Sequence, residues 1–101
     1  MEFDKLLRLM VEKGASDLFI TAGVAPSMKV NGQMMPVTKN PLSPEKTREI
    51  VMSVMTEKQS LEFQESGESN FAISARGIGR FRVSAYHQRN LVAMVLRRIE
   101  V

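Results

Sequence analysis

The sequence predicts a small α+β domain whose helices pack on a mostly antiparallel sheet, in the order α-β-β-β-α-α-β-β-β. Three observations carry this. Apolar residues recur at helical spacing near the start and around residue 50, and alternate at strand spacing in the last third. Asn31-Gly32 lies between two short alternating runs, a hairpin signal. At 101 residues, 44% hydrophobic and 25% charged, the chain has the size and composition of one globular domain.

The elements follow in order. Phe3, Leu6, Leu7, Met10 and Val11 form the apolar stripe of an amphipathic helix, with Gly14 as its stop. Asp17 to Thr21 is a short apolar strand closed by Ala22-Gly23. Met28 to Val37 is a hairpin in which Val30 pairs with Gln33 and Met28 with Met35, because Asn and Gly both tolerate positive φ in a two-residue turn. Pro36 has no amide to donate and belongs on a sheet edge. Ser43 caps a helix that opens on Pro44 and whose apolar stripe is Ile50, Val51, Val54 and Met55. Thr56 and Gln59 make the capping box of another helix ending near Gly67. Asn70–Ala75, Arg80–His87 and Leu91–Leu96 are strands. The last is almost wholly apolar, as a central strand covered on both faces would be.

Charge is distributed unevenly. Residues 76–101 hold six arginines and one acid, a net of +5, while residues 1–75 net −2, giving +3 for the chain. No lysine follows Lys58. Arginine is a planar fork that grips phosphate or carboxylate through two bonds at once. Phe71, Ile73 and Ala75 alternate with polar neighbours, as do Phe81, Val83 and Ala85. Pairing Ala75 with Phe81 puts both apolar sets on the core and leaves Gly77-Ile78-Gly79 as the loop. Arg76 then opposes Arg80, Ser74 opposes Arg82, and all three arginines share the outward face. Like charges opposed across strands destabilise a sheet by up to about 1 kcal/mol per pair, so such a face asks for an anion. The plainer role of outward arginine is to keep an exposed sheet from aggregating.

Much chemistry is excluded. There is no cysteine, hence no disulfide or thiolate. His87 is the single histidine, reads as a strand-end surface residue, and leaves a histidine metal site without partners. No phosphate loop of the Gly-x-x-x-x-Gly-Lys-[Ser/Thr] type occurs. Asp17 and Glu68 read as isolated acids, and the eight methionines as core filler. Tyr86 is the one aromatic on the arginine face, too few for a base-stacking surface, so nucleic acid is not an expected partner. No apolar run approaches the roughly 20 residues of a membrane span, and the amphipathic start is not signal-like, so a cytoplasmic protein is expected.

Two blocks carry a family resemblance. Gly14-Ala-Ser-Asp-Leu-Phe-Ile-Thr-Ala-Gly23, followed by Pro26 and Asn31-Gly32, resembles the opening of type IV pilus retraction ATPases of the PilT/PilU family. Gly79-Arg-Phe-Arg-Val-Ser-Ala-Tyr-His-Gln-Arg89, with the apolar strand and Arg97-Arg98-Ile99, resembles the end of the same N-terminal domain. Phe19, where the broader family usually has histidine, favours the PilU branch. The resemblance implies that residues 1–101 are the N-terminal, PAS-like domain of a hexameric secretion-type ATPase, cytoplasmic and peripheral to the inner membrane at the pilus base. It implies a RecA-like C-terminal domain with the Walker motifs. That domain is absent here, so the chain by itself is expected to hydrolyse no ATP and to hold no cofactor, with ATP and Mg2+ implied for the full-length protein. The implied partners are its own ATPase domain, neighbouring subunits, a PilT-type paralogue and the pilus inner-membrane platform. Carried over by motif, Arg76 and Arg82 are the first candidates to reach nucleotide phosphate or a neighbouring subunit, with Arg80 and Arg89 next. The rival readings are a PAS-like sensing or protein-binding module without a nucleotide role, and a basic-faced nucleic-acid-binding domain.

Overall fold

The structure is a computed structural model that describes residues 3–100. Helix α1 spans Phe3–Glu12 and buries Leu6, Leu7 and Met10. Strand β1, Asp17–Thr21, follows. Strands β2 (Ser27–Val30) and β3 (Gln33–Pro36) form the expected hairpin, with Val30 opposite Gln33 and Met28 opposite Met35. Asn31 at φ 50° and Gly32 at φ 78° supply the two positive dihedrals that its turn requires. Leu42 bridges back to Ala22, which ties the loop after β3 to the end of β1.

Helix α2, Pro44–Ser53, starts where Ser43 Oγ accepts the Lys46 amide at 3.1 Å. Helix α3, Glu57–Ser66, starts at a complete capping box: the Gln59 amide donates to Thr56 Oγ1 at 3.2 Å, and the Thr56 amide donates to Gln59 Oε1 at 3.0 Å. It ends at Gly67, whose φ of 84° terminates the helix without a Cβ clash. Strands β4 (Glu68–Ala75), β5 (Gly79–Gln88) and β6 (Leu91–Ile99) complete the chain as a meander.

The six strands form one sheet in the order β3-β2-β1-β6-β5-β4, and every pairing between them is antiparallel. The small α+β domain with three helices, in the order α-β-β-β-α-α-β-β-β, is the one the sequence predicts. Two local meanders meet at a single long-range seam, β1 against β6, which pairs Asp17 with Arg97 and Leu18 with Leu96. The helices lie on one face. That face carries Leu18, Ile20, Met28, Phe81, Val83, Ala85, Met94 and Leu96, all buried, against Leu6, Leu7, Met10, Ile50, Val51 and Phe63. Phe63 of α3 stacks on His87 of β5 with ring centroids 4.5 Å apart. His87 thus serves packing at the strand end, its Nδ1 3.2 Å from the Gly67 carbonyl oxygen.

Three expectations need correction. The β4–β5 register is shifted by two residues from the one derived above. Ala75 pairs with Gly79 and Ile73 with Phe81, so the turn is Arg76-Gly77-Ile78. The alternation of apolar residues fixes only the parity of the pairing, and a two-residue shift preserves parity. The tighter turn is closed by the Ile78 amide donating to the Ala75 carbonyl at 2.9 Å, with Gly77 at φ 78° in the third position where positive φ is needed. Arg76 consequently leaves the sheet face for the turn, and Arg80 and Arg82 face Ser74 and Ala72 across the β4 edge. Second, β6 is central as expected but continues past Leu96 to Ile99, which brings Arg97 and Arg98 into the sheet. Third, β6 is not covered on both faces: Val95 is only half-buried on the side away from the helices.

Candidate functional site

Strand parity sorts the last arginines. Arg80, Arg82 and Arg97 project from the face opposite the helices, whereas Arg98 points to the helical side and is half-buried. On the open face one row runs across the whole sheet, composed of Met34, Lys29, Asp17, Arg97, Arg82 and Ala72 in spatial order. The adjacent row holds Pro36, Ser27, Phe19, Val95, Ser84 and Asn70. Arg80 lies two residues along β5 from Arg82, beside Ile99. Asp17, Asn70, Ala72, Arg82, Ser84, Val95 and Arg97 line a shallow hollow of about 580 Å³ in this face.

The centre of the row is an arginine pair flanked by one acid. Arg97 Nε donates to Asp17 Oδ1 at 3.2 Å, and Ser16 Oγ donates to Asp17 Oδ2 at 2.7 Å. The two partners differ sharply in exposure: the Asp17 side chain is 8% exposed and that of Arg97 is 72% exposed. Asp17 is therefore paired, against the expectation that it stands isolated. Arg82 sits directly opposite Arg97 and, among the described residues, makes no salt bridge. Lys29, Arg80, Arg82 and Arg97 against Asp17 leave this end of the face strongly cationic. Two opposed guanidiniums, one held from the side, form a surface that an oxyanion can bridge through charge-assisted bonds. No three acidic or histidine side chains gather to hold a metal ion among the described residues.

The four arginines singled out from sequence do not converge on one point. Arg80 and Arg82 share the open face, and Arg76 lies in the turn just beyond Arg80. Arg89 occupies the opposite end of β5, in the two-residue Arg89-Asn90 turn with φ of 53° and 65°. Arg89 is seven residue steps along the chain from Arg82, about 23 Å at a rise of roughly 3.3 Å per residue. The sequence reading missed Arg97, because it ended the strand at Leu96. Continuing the alternation by one step would have placed Arg97 on the outward face beside Arg82.

No protein-family model matches the chain. Among curated proteins, the type IV pilus ATPase PilU of Pseudomonas aeruginosa is 78% identical over 100 residues, covering 99% of this chain and 26% of that protein. The type IV pilus retraction ATPase PilT of the same organism is 32% identical over 99 residues, covering 98% of this chain and 29% of that protein. The chain thus spans about a quarter of the length of the curated relatives it matches. Among solved structures, the pilus retraction motor PilT with bound ADP superposes with a TM-score of 0.91 at 34% identity, over 100% of this chain and 30% of that one. By sequence and by fold, this chain belongs with the N-terminal region of the PilT/PilU family of type IV pilus ATPases.

Proposed function

We propose that the chain is the N-terminal, PAS-like domain of a type IV pilus retraction ATPase, and that its open sheet face works against ATPase domains. The full-length protein is a hexameric, cytoplasmic motor at the pilus base, with ATP and Mg2+ held by a RecA-like domain outside this chain. Neighbouring subunits, a PilT-type paralogue and the inner-membrane platform of the pilus are its partners. The observation that carries the reading is the Arg82–Arg97 pair on the sheet face opposite the one on which the helices pack. Two exposed guanidiniums opposed across adjacent strands are unfavourable by themselves and suit a phosphate.

The mechanism is positioning and electrostatics. Phosphoryl transfer spreads charge over the γ-phosphate oxygens, and arginines brought from another domain stabilise that charge without taking part in bond making. Arg82 and Arg97 meet the phosphates in this account, with Arg80 and Arg76 flanking them toward the β4–β5 turn. Arg89, at the far end of the sheet, contacts a neighbouring subunit instead. A nucleotide gripped between two domains also draws them together, and its release lets them part. Closure passed in sequence round a ring converts hydrolysis into movement against the pilus machinery.

The test is ATP turnover by the full-length protein. Arg82→Ala and Arg97→Ala should each lower kcat by about 100-fold or more, given the 10³–10⁵ that such arginines supply elsewhere. Arg82→Ala should leave the melting temperature unchanged, whereas Arg97→Ala, which strips the buried Asp17 of its partner, should lower it. Wild-type kcat and nucleotide affinity in both variants would remove the phosphate role.

A further inference from the structure

Among the described residues Asp17 is the one charged side chain that is buried, at 6% exposure, and it lies in the middle of an otherwise open face. A buried carboxylate is costly unless paired, and pairing seldom yields a net gain in stability over an apolar residue. Phe19, Val95 and Ala93 show that this face accepts apolar side chains. Fold stability therefore gives little reason for an acid at this position.

What the acid does is visible in its bonds. One oxygen is held by Ser16 Oγ at 2.7 Å and the other receives Arg97 Nε at 3.2 Å. Lys29 is the cross-strand neighbour of Asp17 on the other side, yet makes no salt bridge with it. The carboxylate engages Arg97 through the inner nitrogen alone and, among the described residues, leaves the two terminal nitrogens without a protein hydrogen bond. A free arginine side chain samples many rotamers, and fixing it costs binding energy each time a ligand is met. Held at Nε, the fork presents its outer edge in one direction, toward the hollow it shares with Arg82.

We propose that Asp17, braced by Ser16, is a positioning residue that aims Arg97 at a phosphate oxyanion shared with Arg82. The proposal rests on the reading of the Arg82–Arg97 pair given above. Asp17 touches no ligand, and its effect passes through Arg97. Lysine could not replace Arg97, because its single nitrogen cannot meet Asp17 and a phosphate in the same fixed fork.

The experiment uses the full-length protein and the variants Asp17→Asn, Asp17→Glu, Arg97→Ala, Arg97→Lys and Asp17→Asn with Arg97→Ala. Turnover is measured beside affinity for a non-hydrolysable ATP analogue and beside thermal melting. Asp17→Asn should lower kcat about tenfold, with Asp17→Glu intermediate and Arg97→Lys as poor as Arg97→Ala. The double variant should be no worse than Arg97→Ala alone, the non-additivity expected of groups acting as one unit. A purely structural role would instead lower melting and leave kcat intact below it. Wild-type kcat and analogue affinity in Asp17→Asn, with Arg97→Ala impaired, overturns the positioning role and leaves the arginine reading standing. Wild-type behaviour of both Arg82→Ala and Arg97→Ala removes that reading, and this one with it. Should Asp17→Asn not fold, Ser16→Ala breaks the brace with the carboxylate kept. A several-fold fall in kcat then supports the proposal, and an unchanged kcat overturns it.

Discussion

Arg82 faces Arg97 across the β5–β6 ladder, and neither side chain is needed to fill the core. Removing one of two opposed like charges relieves repulsion, so Arg82→Ala should leave stability within about 0.5 kcal/mol of wild type or raise it slightly. Chemical denaturation of the purified protein reads this directly, and a loss beyond about 1.5 kcal/mol would mean that Arg82 packs structurally. His87 behaves in the opposite way. Its ring stacks on Phe63 and reaches the Gly67 carbonyl, so His87→Ala should cost about 1 kcal/mol. At this scale the sequence was informative about residue type and poor about direction. Arginine enrichment after residue 76 was plain. Which arginines share a face depended on the β4–β5 register and on where β6 ends, and neither is set by the identity of an arginine. Asp17 looked isolated because its partner lies 80 residues away in the chain.

The helices and turns are where local chemistry decides, and they were the most legible part of the sequence. Thr56 with Gln59 closes a capping box, and Thr56→Ala should cost about 1 kcal/mol through the loss of one backbone partner. The end of the same helix offers a separate test. A Cβ on Gly67 would meet nothing closer than His87 Nδ1 at 3.8 Å, so Gly67→Ala has room. Its cost, again about 1 kcal/mol, comes from the backbone alone, because φ is +84°. A loss of the same size from Gly67→Asn would contradict this, since asparagine tolerates that conformation better. Asn31-Gly32 and Pro36 were read correctly for the same kind of reason: each reports a backbone requirement local to itself. The Arg76-Gly77-Ile78 turn was misplaced because two glycines flank Ile78. Either could have served the turn, and alternation constrains parity only.

The whole sheet depends on one long-range junction. β1-β2-β3 and β4-β5-β6 each form through neighbours in sequence, but their union requires β1 to meet β6. Leu18 and Leu96 are opposed at that junction and both are fully buried. Leu96→Ala should therefore cost about 2–5 kcal/mol, a large share of the 5–15 kcal/mol typical of a domain, and should abolish activity through unfolding rather than through the site. Loss of the melting transition together with loss of turnover is the expected signature, in contrast to the face arginines. Strand order was beyond the sequence, since nothing in the pattern of Asp17–Thr21 or Leu91–Leu96 names the other as its partner. The same junction has a mechanical meaning. A pull along β6 from its Ile99 end loads the ladders to β1 and β5 together, lengthwise, so that many hydrogen bonds must yield at once. A pull on β3 or β4 at the sheet edges would peel bonds one at a time. The strand bearing Arg97 is thus the stiffest line through the molecule, and a displacement applied there is delivered to the sheet as a whole.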